Sequence, residues 1–250
     1  MIEPAETPRR PRLTENRALV VLAVGLATLG AGIALIVVSL VRDGGSDAPA
    51  SAAIPGAEKT ATLLDGIPQD GLLLGNKSAP VTLVEWADLQ CPYCREWSLV
   101  AFPALVREYV RPGKVQIVFR GLAFLGPDST KALQVALAAG LQNRLWDVVD
   151  LLFRNQGIEN SGWATEELLH EIVAAVDGLD EARVFEDRNT NGVLGAMSQT
   201  AQAGTGAKVT GTPTFDIGKT GAKQFHRLNV TALNAEAFKP AIEKLLREAG

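Results

Sequence analysis

The stretch V-E-W-A-D-L-Q-C-P-Y-C, residues 84–94, holds both cysteines of the 250-residue chain. It begins in a β-rich run. Pro92 suits the first position of a helix because its φ is already helical and it has no N–H that would need a partner there. The pattern therefore predicts that Cys91 caps the N-terminus of a helix. Cys94 follows one helical turn later, within reach of a disulfide.

A thiol at a helix N-terminus is chemically activated. Free backbone N–H groups and the positive end of the helix dipole stabilise a thiolate over a thiol, so we expect the pKa of Cys91 to lie below the ordinary value of about 8.5. We interpret Cys91 as the nucleophile. Cys94, the thiol that is normally more buried in such a pair, is then the resolving thiol that releases a mixed disulfide.

Other uses of two cysteines fit the sequence less well. A zinc site needs about four ligands, and beyond the cysteines only His170 and His226 are present, in unrelated segments. Attached haem would need a histidine directly after the second cysteine, where Arg95 stands. We therefore predict neither a metal nor a cofactor. A purely structural disulfide stays an alternative, although closing so short a loop would stabilise the fold little.

The overall charge gives no sign of a nucleic-acid partner. The chain has 24 Lys and Arg against 28 Asp and Glu, a net charge of −4. It therefore lacks the basic excess that binding to phosphates requires. Hydrophobic residues make up 47% of the sequence, which is ordinary for a globular domain with a sizeable core.

Residues 18–41 form an apolar run without a single charge, bounded by Arg17 and Arg42. As a helix the run would be about 36 Å long at ~1.5 Å per residue, enough to cross a hydrocarbon core of roughly 30 Å. We interpret it as a transmembrane helix that acts as an uncleaved signal-anchor. A cleaved signal peptide is the alternative, but its apolar region is usually only ~7–15 residues. A buried core helix is disfavoured because neither face carries a polar stripe.

The flanking charges predict the orientation of this helix. Four arginines precede it and only Arg42 follows directly, so residues 1–17 are expected to be a cytoplasmic tail. The remainder would lie outside the membrane, where thiols can be oxidised. Residues 42–65 are rich in Gly, Ala, Ser and Pro and are expected to be a flexible linker, which leaves residues 66–250 as the folded domain.

Downstream of the linker, β-type and helical patterns alternate. Residues 81–86 and 114–120 are predicted strands, and residues 92–110 between them a helix. This β-α-β unit implies two parallel strands and a right-handed crossover. Residues from about 127 to 204 carry helical spacing throughout. The fold class is therefore α/β with a long helical insertion.

The end of the chain predicts a hairpin and a helix. T-P-T-F-D-I, G-K-T-G and K-Q-F-H-R-L follow one another closely within residues 212–228 and are typical of two antiparallel strands. Residues 234–249 have helical spacing, and Pro240 is expected to kink this helix or shift its start.

Three motifs together resemble one known family. They are V-E-W-A-D-L-Q-C-P-Y-C, L-W-D-V-V-D-L-L-F-R-N-Q (residues 145–156) and V-T-G-T-P-T-F (residues 209–215). Residues 70–250 resemble the DsbA family of thioredoxin-fold thiol-disulfide oxidoreductases, in particular its membrane-anchored bacterial members. The resemblance implies a thioredoxin fold with a helical insertion, preceded by a single transmembrane helix.

The resemblance also implies roles for residues outside the cysteine pair. Glu85 matches a buried acid beneath the pair that exchanges a proton with Cys94, and burial would raise its pKa. An edge-strand or ion-paired carboxylate is the alternative. Thr212 and Pro213 match the loop with a cis-proline that packs beside the cysteines. The backbone of Thr212 would pair with an extended substrate peptide.

The function implied is the introduction of disulfides into exported proteins, at the cytoplasmic membrane of a bacterium. Thiols of exported proteins would be the substrates, and a quinone-linked membrane partner would reoxidise the pair. A reductase or isomerase on the same fold is the alternative, and a non-catalytic binding or chaperone module is a further one. The dipeptide between the cysteines is Pro92-Tyr93, whereas strongly oxidising members often carry Pro-His. We therefore expect an oxidant of intermediate strength.

Overall fold

The computed structural model describes residues 54–249. The predicted tail, the predicted transmembrane helix and the first half of the predicted linker, residues 42–53, lie outside these residues. Among the helices of residues 54–249, none combines the length and the apolar character that a membrane crossing requires.

A six-stranded mixed sheet forms the centre of the domain. Its strands are β1 (Gln69–Asp70), β2 (Leu73–Leu74), β3 (Val81–Asp88), β4 (Val115–Leu122), β5 (Thr214–Lys219) and β6 (His226–Leu228), in the spatial order β1-β2-β4-β3-β5-β6. β3 and β4 are parallel, as predicted, and β5 and β6 form the predicted antiparallel hairpin. The strand that leads to the cysteines, β3, is therefore central, with β4 on one side and β5 on the other.

The helical segment between β3 and β4 is interrupted. It consists of α2 (Pro92–Val100), α3 (Phe102–Leu105) and a π-helical turn (Val106–Val110), where the sequence predicts one continuous helix over 92–110. Pro103 explains the break: it has no N–H to donate to the preceding turn, and its ring disfavours an uninterrupted helix.

Five helices occupy the segment between β4 and β5 that the sequence assigns to an insertion. They are α4 (Pro127–Gly140), α5 (Leu145–Arg154), α6 (Glu166–Ala174), α7 (Glu181–Asp187) and α8 (Asn191–Gly206). A 3₁₀ turn (Ala235–Ala237) and a final helix, α9 (Lys239–Ala249), follow the hairpin. Pro240 lies in the first turn of α9, so the helix starts later than its periodic pattern suggests.

An aromatic cluster fixes α2 on the sheet. Trp97 is buried, and its ring centroid lies 5.4 Å from that of Phe102 and 5.2 Å from that of Phe215 on β5. Phe238, just before α9, packs against the same tryptophan at 6.3 Å. Helix, sheet and C-terminal segment thus share one core beneath the cysteines.

The predicted linker, residues 42–65, extends too far along the chain. Its last part is a helix, α1 (Ala57–Leu64), with Thr60, Leu63 and Leu64 buried. The Thr60 hydroxyl donates a hydrogen bond of 2.5 Å to Asp150 on α5. The folded domain therefore starts before residue 66, because this short helix covers part of the insertion.

Leu64→Ala provides a test of the role of α1. Removing this buried side chain should lower the free energy of unfolding by about 2–5 kcal/mol, measured by urea unfolding of the full chain in mild detergent. Thr62→Ala, at an exposed position of the same helix, should change it by less than about 0.5 kcal/mol. Equal and small effects of both substitutions would mean that α1 contributes nothing to the fold.

Candidate active site

The two cysteines lie at the start of α2, just after the end of the central strand β3. Cys91 is the N-cap of this helix, with extended backbone angles, and Pro92 is in its first turn. The N–H of Cys91 donates to the carbonyl of Asp88 at 3.0 Å, and its own carbonyl accepts from the N–H of Arg95 at 3.1 Å. The predicted cap is therefore confirmed.

Both thiols are free and differ in exposure: Cys91 is 5% exposed and Cys94 is fully buried. The loop before β5 packs against them. The Sγ of Cys91 donates to the carbonyl oxygen of Thr212 at 3.2 Å, and the Thr212-Pro213 peptide bond is cis, as predicted. Residues more than a hundred positions apart in the sequence thus meet at one sulfur.

The surroundings make the two thiols chemically unequal. The hydrogen bond from the Cys94 thiol is the main reason that the pKa of Cys91 falls to about 6, against the opposing effect of burial. The Thr212 hydroxyl and the backbone N–H groups of Cys94 and Tyr93 lower it further. Burial, followed by the hydrogen bond to Cys91, raises the pKa of Cys94 above its ordinary value. At neutral pH the thiolate is therefore carried by Cys91.

Glu85 lies in the middle of β3, beneath the pair. It is fully buried, and neither carboxylate oxygen has a hydrogen-bond partner among residues 54–249. Burial raises its pKa, and the negative charge of Cys91 raises it further. An edge-strand or ion-paired carboxylate, the alternative considered above, is wrong, because β3 is central and the described residues provide no cation for it.

Asp88 is a neighbour of the cysteine pair whose contacts the sequence does not reveal. Asp88 is buried and accepts from Ser129 Oγ at 2.5 Å and from the backbone N–H groups of Gln90, Phe124 and Leu125. It ties the loop before the cysteines to the loop after β4. Its position near the pair is visible in the sequence, but its burial is not.

Alkylation of the reduced protein at different pH values should report the activation of Cys91. The rate should rise with a midpoint near pH 6, well below the value of about 8.5 for a free thiol, because only the thiolate reacts. Mass spectrometry should find the label on Cys91, since Cys94 is fully buried and its pKa is raised. A midpoint near 8.5 would show that the helix terminus does not activate this thiol.

Comparisons with known proteins agree with this geometry. A family model described as "Thioredoxin" matches residues 68–244, which include the cysteines and the cis-proline. The chain is 29% identical over 178 residues to a probable disulfide bond formation protein D of Bacillus cereus, covering 70% of this chain and 78% of that protein.

Two solved structures share the fold. Oxidised BdbD from Bacillus subtilis has a TM-score of 0.62 at 21% identity, covering 72% of this chain and 97% of that one. The alpha-DsbA1 of Wolbachia pipientis has a TM-score of 0.60 at 21% identity, covering 74% and 94%. With a family model that spans most of the domain and an activated cysteine pair at a helix N-terminus, the chain belongs to the thioredoxin family and is a DsbA-like thiol-disulfide oxidoreductase.

Proposed function

We propose that the protein introduces disulfides into exported proteins through the couple formed by Cys91, Pro92, Tyr93 and Cys94. One observation carries the proposal: Cys91 caps the N-terminus of α2 beside Thr212, and its hydrogen bonds there lower its pKa to about 6. A stabilised thiolate favours the reduced pair and makes the disulfide a better oxidant. Tyr93, 63% exposed, adds no positive charge beside Cys91, so the oxidising strength should be intermediate.

In the oxidised protein a substrate thiolate attacks Cys91 Sγ, the Cys91–Cys94 bond breaks, and Cys94 takes the electron pair. A second substrate thiolate then attacks the substrate sulfur of the mixed disulfide, and Cys91 leaves as a thiolate. The substrate loses two electrons and gains a disulfide, while the enzyme pair becomes reduced. When the reduced pair instead attacks a disulfide, Cys94 is the thiol that resolves the mixed disulfide on Cys91.

Glu85 is proposed to move the proton of Cys94. The pKa of Cys94 is raised, so this sulfur needs a proton when it leaves the disulfide and must lose one when it attacks. Glu85 is the buried acid whose charge interacts with Cys94, and its own raised pKa keeps it protonated into a higher pH range than an exposed glutamate. The absence of hydrogen bonds to its carboxylate from residues 54–249 leaves it free for this transfer.

The loop at Thr212 and Pro213 is proposed to hold the substrate. The carbonyl oxygen of Thr212 already accepts a hydrogen bond from the Cys91 thiol at 3.2 Å. A peptide attached to Cys91 would therefore run beside this backbone. Pro213 has no N–H that could face the sulfur. An extended substrate could therefore pair with the backbone of Thr212 without a competing donor.

For the whole chain we propose a membrane-anchored arrangement. Residues 1–17 would be cytoplasmic, residues 18–41 would span the membrane, and a linker ending before α1 would carry the domain outside. The arginines before residue 18 support this orientation, and an oxidising compartment fits the chemistry. A quinone-linked membrane protein would then be placed to reoxidise the pair.

The equilibrium potential against glutathione decides between oxidase and reductase. We expect a value above that of thioredoxin, about −270 mV, and below the roughly −120 mV of the strongest oxidants of this type. Each mole of oxidised protein should also convert one mole of a reduced dithiol peptide to its disulfide. A potential at or below about −270 mV would favour the reductase, and binding without any transfer of electrons would favour a non-catalytic module.

Orientation can be tested in intact spheroplasts. An epitope added after Gly250 should be reached by an antibody from outside, and an epitope placed before Met1 only after permeabilisation. The reverse pattern, or release of the whole chain from the membrane fraction, would contradict the proposed anchor.

A further inference from the structure

One side-chain amide of the helical insertion donates hydrogen bonds to the backbone on both sides of the nucleophile. Gln156, two residues after α5, donates from Nε2 to the carbonyl of Leu89 at 2.8 Å and to the carbonyl of Cys91 at 3.2 Å. These contacts span 65 and 67 positions of sequence. None of the catalytic steps above makes use of them.

The end of α5 is itself fixed against α2, so the amide is held in place. Arg95, on the helix that Cys91 caps, donates from Nε to the carbonyl of Phe153 at 3.0 Å. Phe153 is fully buried. Gln156 therefore reaches the cysteine loop from a rigid base, and its geometry does not depend on an exposed, free-moving segment.

A second amide holds the other side of the same loop. Gln90 is buried and donates to Ser129 Oγ at 3.0 Å, and it accepts from the N–H of Asn160 at 2.8 Å and from Trp163 Nε1 at 3.3 Å. Its side chain is thus anchored to the insertion independently of Gln156. The short segment from Leu89 to Cys91 has little freedom to turn.

Hydrogen bonds to the Cys91 carbonyl affect the stability of the Cys91 thiolate. As the N-cap carbonyl it already accepts from the N–H of Arg95, and Gln156 is a second donor. This donor draws electron density from an oxygen that belongs to the same residue as the sulfur. It also fixes the orientation of the Cys91–Pro92 peptide. The N–H groups of Tyr93 and Cys94, which follow this peptide, stabilise the Cys91 thiolate. Both effects favour the charged sulfur.

We propose that Gln156 is a positioning residue, whose hydrogen bonds to the carbonyl groups of Leu89 and Cys91 set the thiolate character of Cys91 and hence the oxidising strength of the pair. The inference rests on the proposed function, in which Cys91 is the nucleophile. It assigns to the insertion a direct part in tuning the redox chemistry.

Gln156→Met tests this inference, because methionine keeps a similar length but donates no hydrogen bond. In the full chain, the alkylation midpoint of Cys91 should move above its wild-type value. The equilibrium constant with glutathione should shift about two- to tenfold towards the disulfide, the range expected for one or two lost neutral hydrogen bonds. Gln156→Asn, whose amide is one methylene shorter, should shift both quantities in the same direction and serves if the methionine variant does not fold.

Gln142→Met is the matched control. Gln142 also bonds through its side-chain amide to a backbone, that of Asp180, with distances of 3.1 and 2.9 Å, but far along the insertion. It should lower thermal stability at most and leave the midpoint and the equilibrium constant unchanged. A folded Gln156→Met protein with both quantities at wild-type values would overturn the inference. A wild-type midpoint near 8.5 would instead overturn the proposed role of Cys91 itself.

Discussion

Cys94→Ser should convert the protein into a trap for its substrates, whereas Cys91→Ser should abolish turnover altogether. Cys91 carries the thiolate, so the first variant still attacks disulfides, but no neighbouring thiol remains to release the mixed disulfide. In the second variant the remaining thiol is fully buried, and its pKa is raised. Neither property suits an attacking group.

The measurement is the recovery of substrate-linked protein on a non-reducing gel after exposure to a disulfide-containing peptide. We expect adducts from Cys94→Ser that disappear on reduction, and none from Cys91→Ser. Ser98→Ala on the same helix should retain turnover and serves as the control for handling of the variants. Equal amounts of adduct from both cysteine variants would reverse or equalise the roles of the two thiols.

Glu85→Leu should make the protein both more stable and slower. Removal of a buried carboxyl group without a hydrogen-bond partner should raise the free energy of unfolding by about 1–3 kcal/mol. The same change removes the proposed proton carrier for Cys94, and general acid-base groups contribute about 10²- to 10⁴-fold. We therefore expect peptide oxidation at neutral pH to slow by about 10²-fold or more, measured under single-turnover conditions.

The pH dependence of stability gives an independent check. The pKa of Glu85 is higher in the folded protein than its ordinary value of 4.5, so over the interval between the two values the folded state binds more protons than the unfolded chain. The contribution of this group to the free energy of unfolding must then fall as the pH rises above about 4.5. Glu85→Leu should lack this decline.

Glu96→Gln provides the matched comparison, since Glu96 lies exposed on the helix of the cysteines. It should leave the rate, the stability and the pH profile close to those of the wild type. A Glu85→Leu protein that is less stable than the wild type, or that turns over equally fast, would exclude Glu85 as an unpaired proton carrier.

The parts of the site that the sequence predicts are those with local signals. A β-rich run that leads to a cysteine and a proline identifies the helix cap, and β-rich runs identify β3, β4 and the final hairpin. Thr212 and Pro213 lie far away in sequence, and only the family resemblance connects them with Cys91. The structure brings these residues together at one sulfur.

Other features have no local signal to detect. The buried face of α1 consists of Thr60, Leu63 and Leu64 within a stretch of small residues, so composition suggests a linker. β1 and β2 have two residues each, too few for an alternating pattern. The contacts of Gln156 cannot be predicted from the sequence for a different reason. Its partners are backbone carbonyls some 65 residues away, and an amide side chain follows no periodicity that would reveal them.

The difference in burial between the two thiols also bears on oxidative damage. Peroxide reacts with thiolates, so it would convert Cys91 to a sulfenic acid, and Cys94, held next to it and hydrogen-bonded to it, would condense with that group to form the disulfide and release water. The buried thiol of Cys94 is shielded from peroxide and stays next to Cys91. Chemical stress would thus return the pair to its oxidised working state before the irreversible sulfinic acid could form.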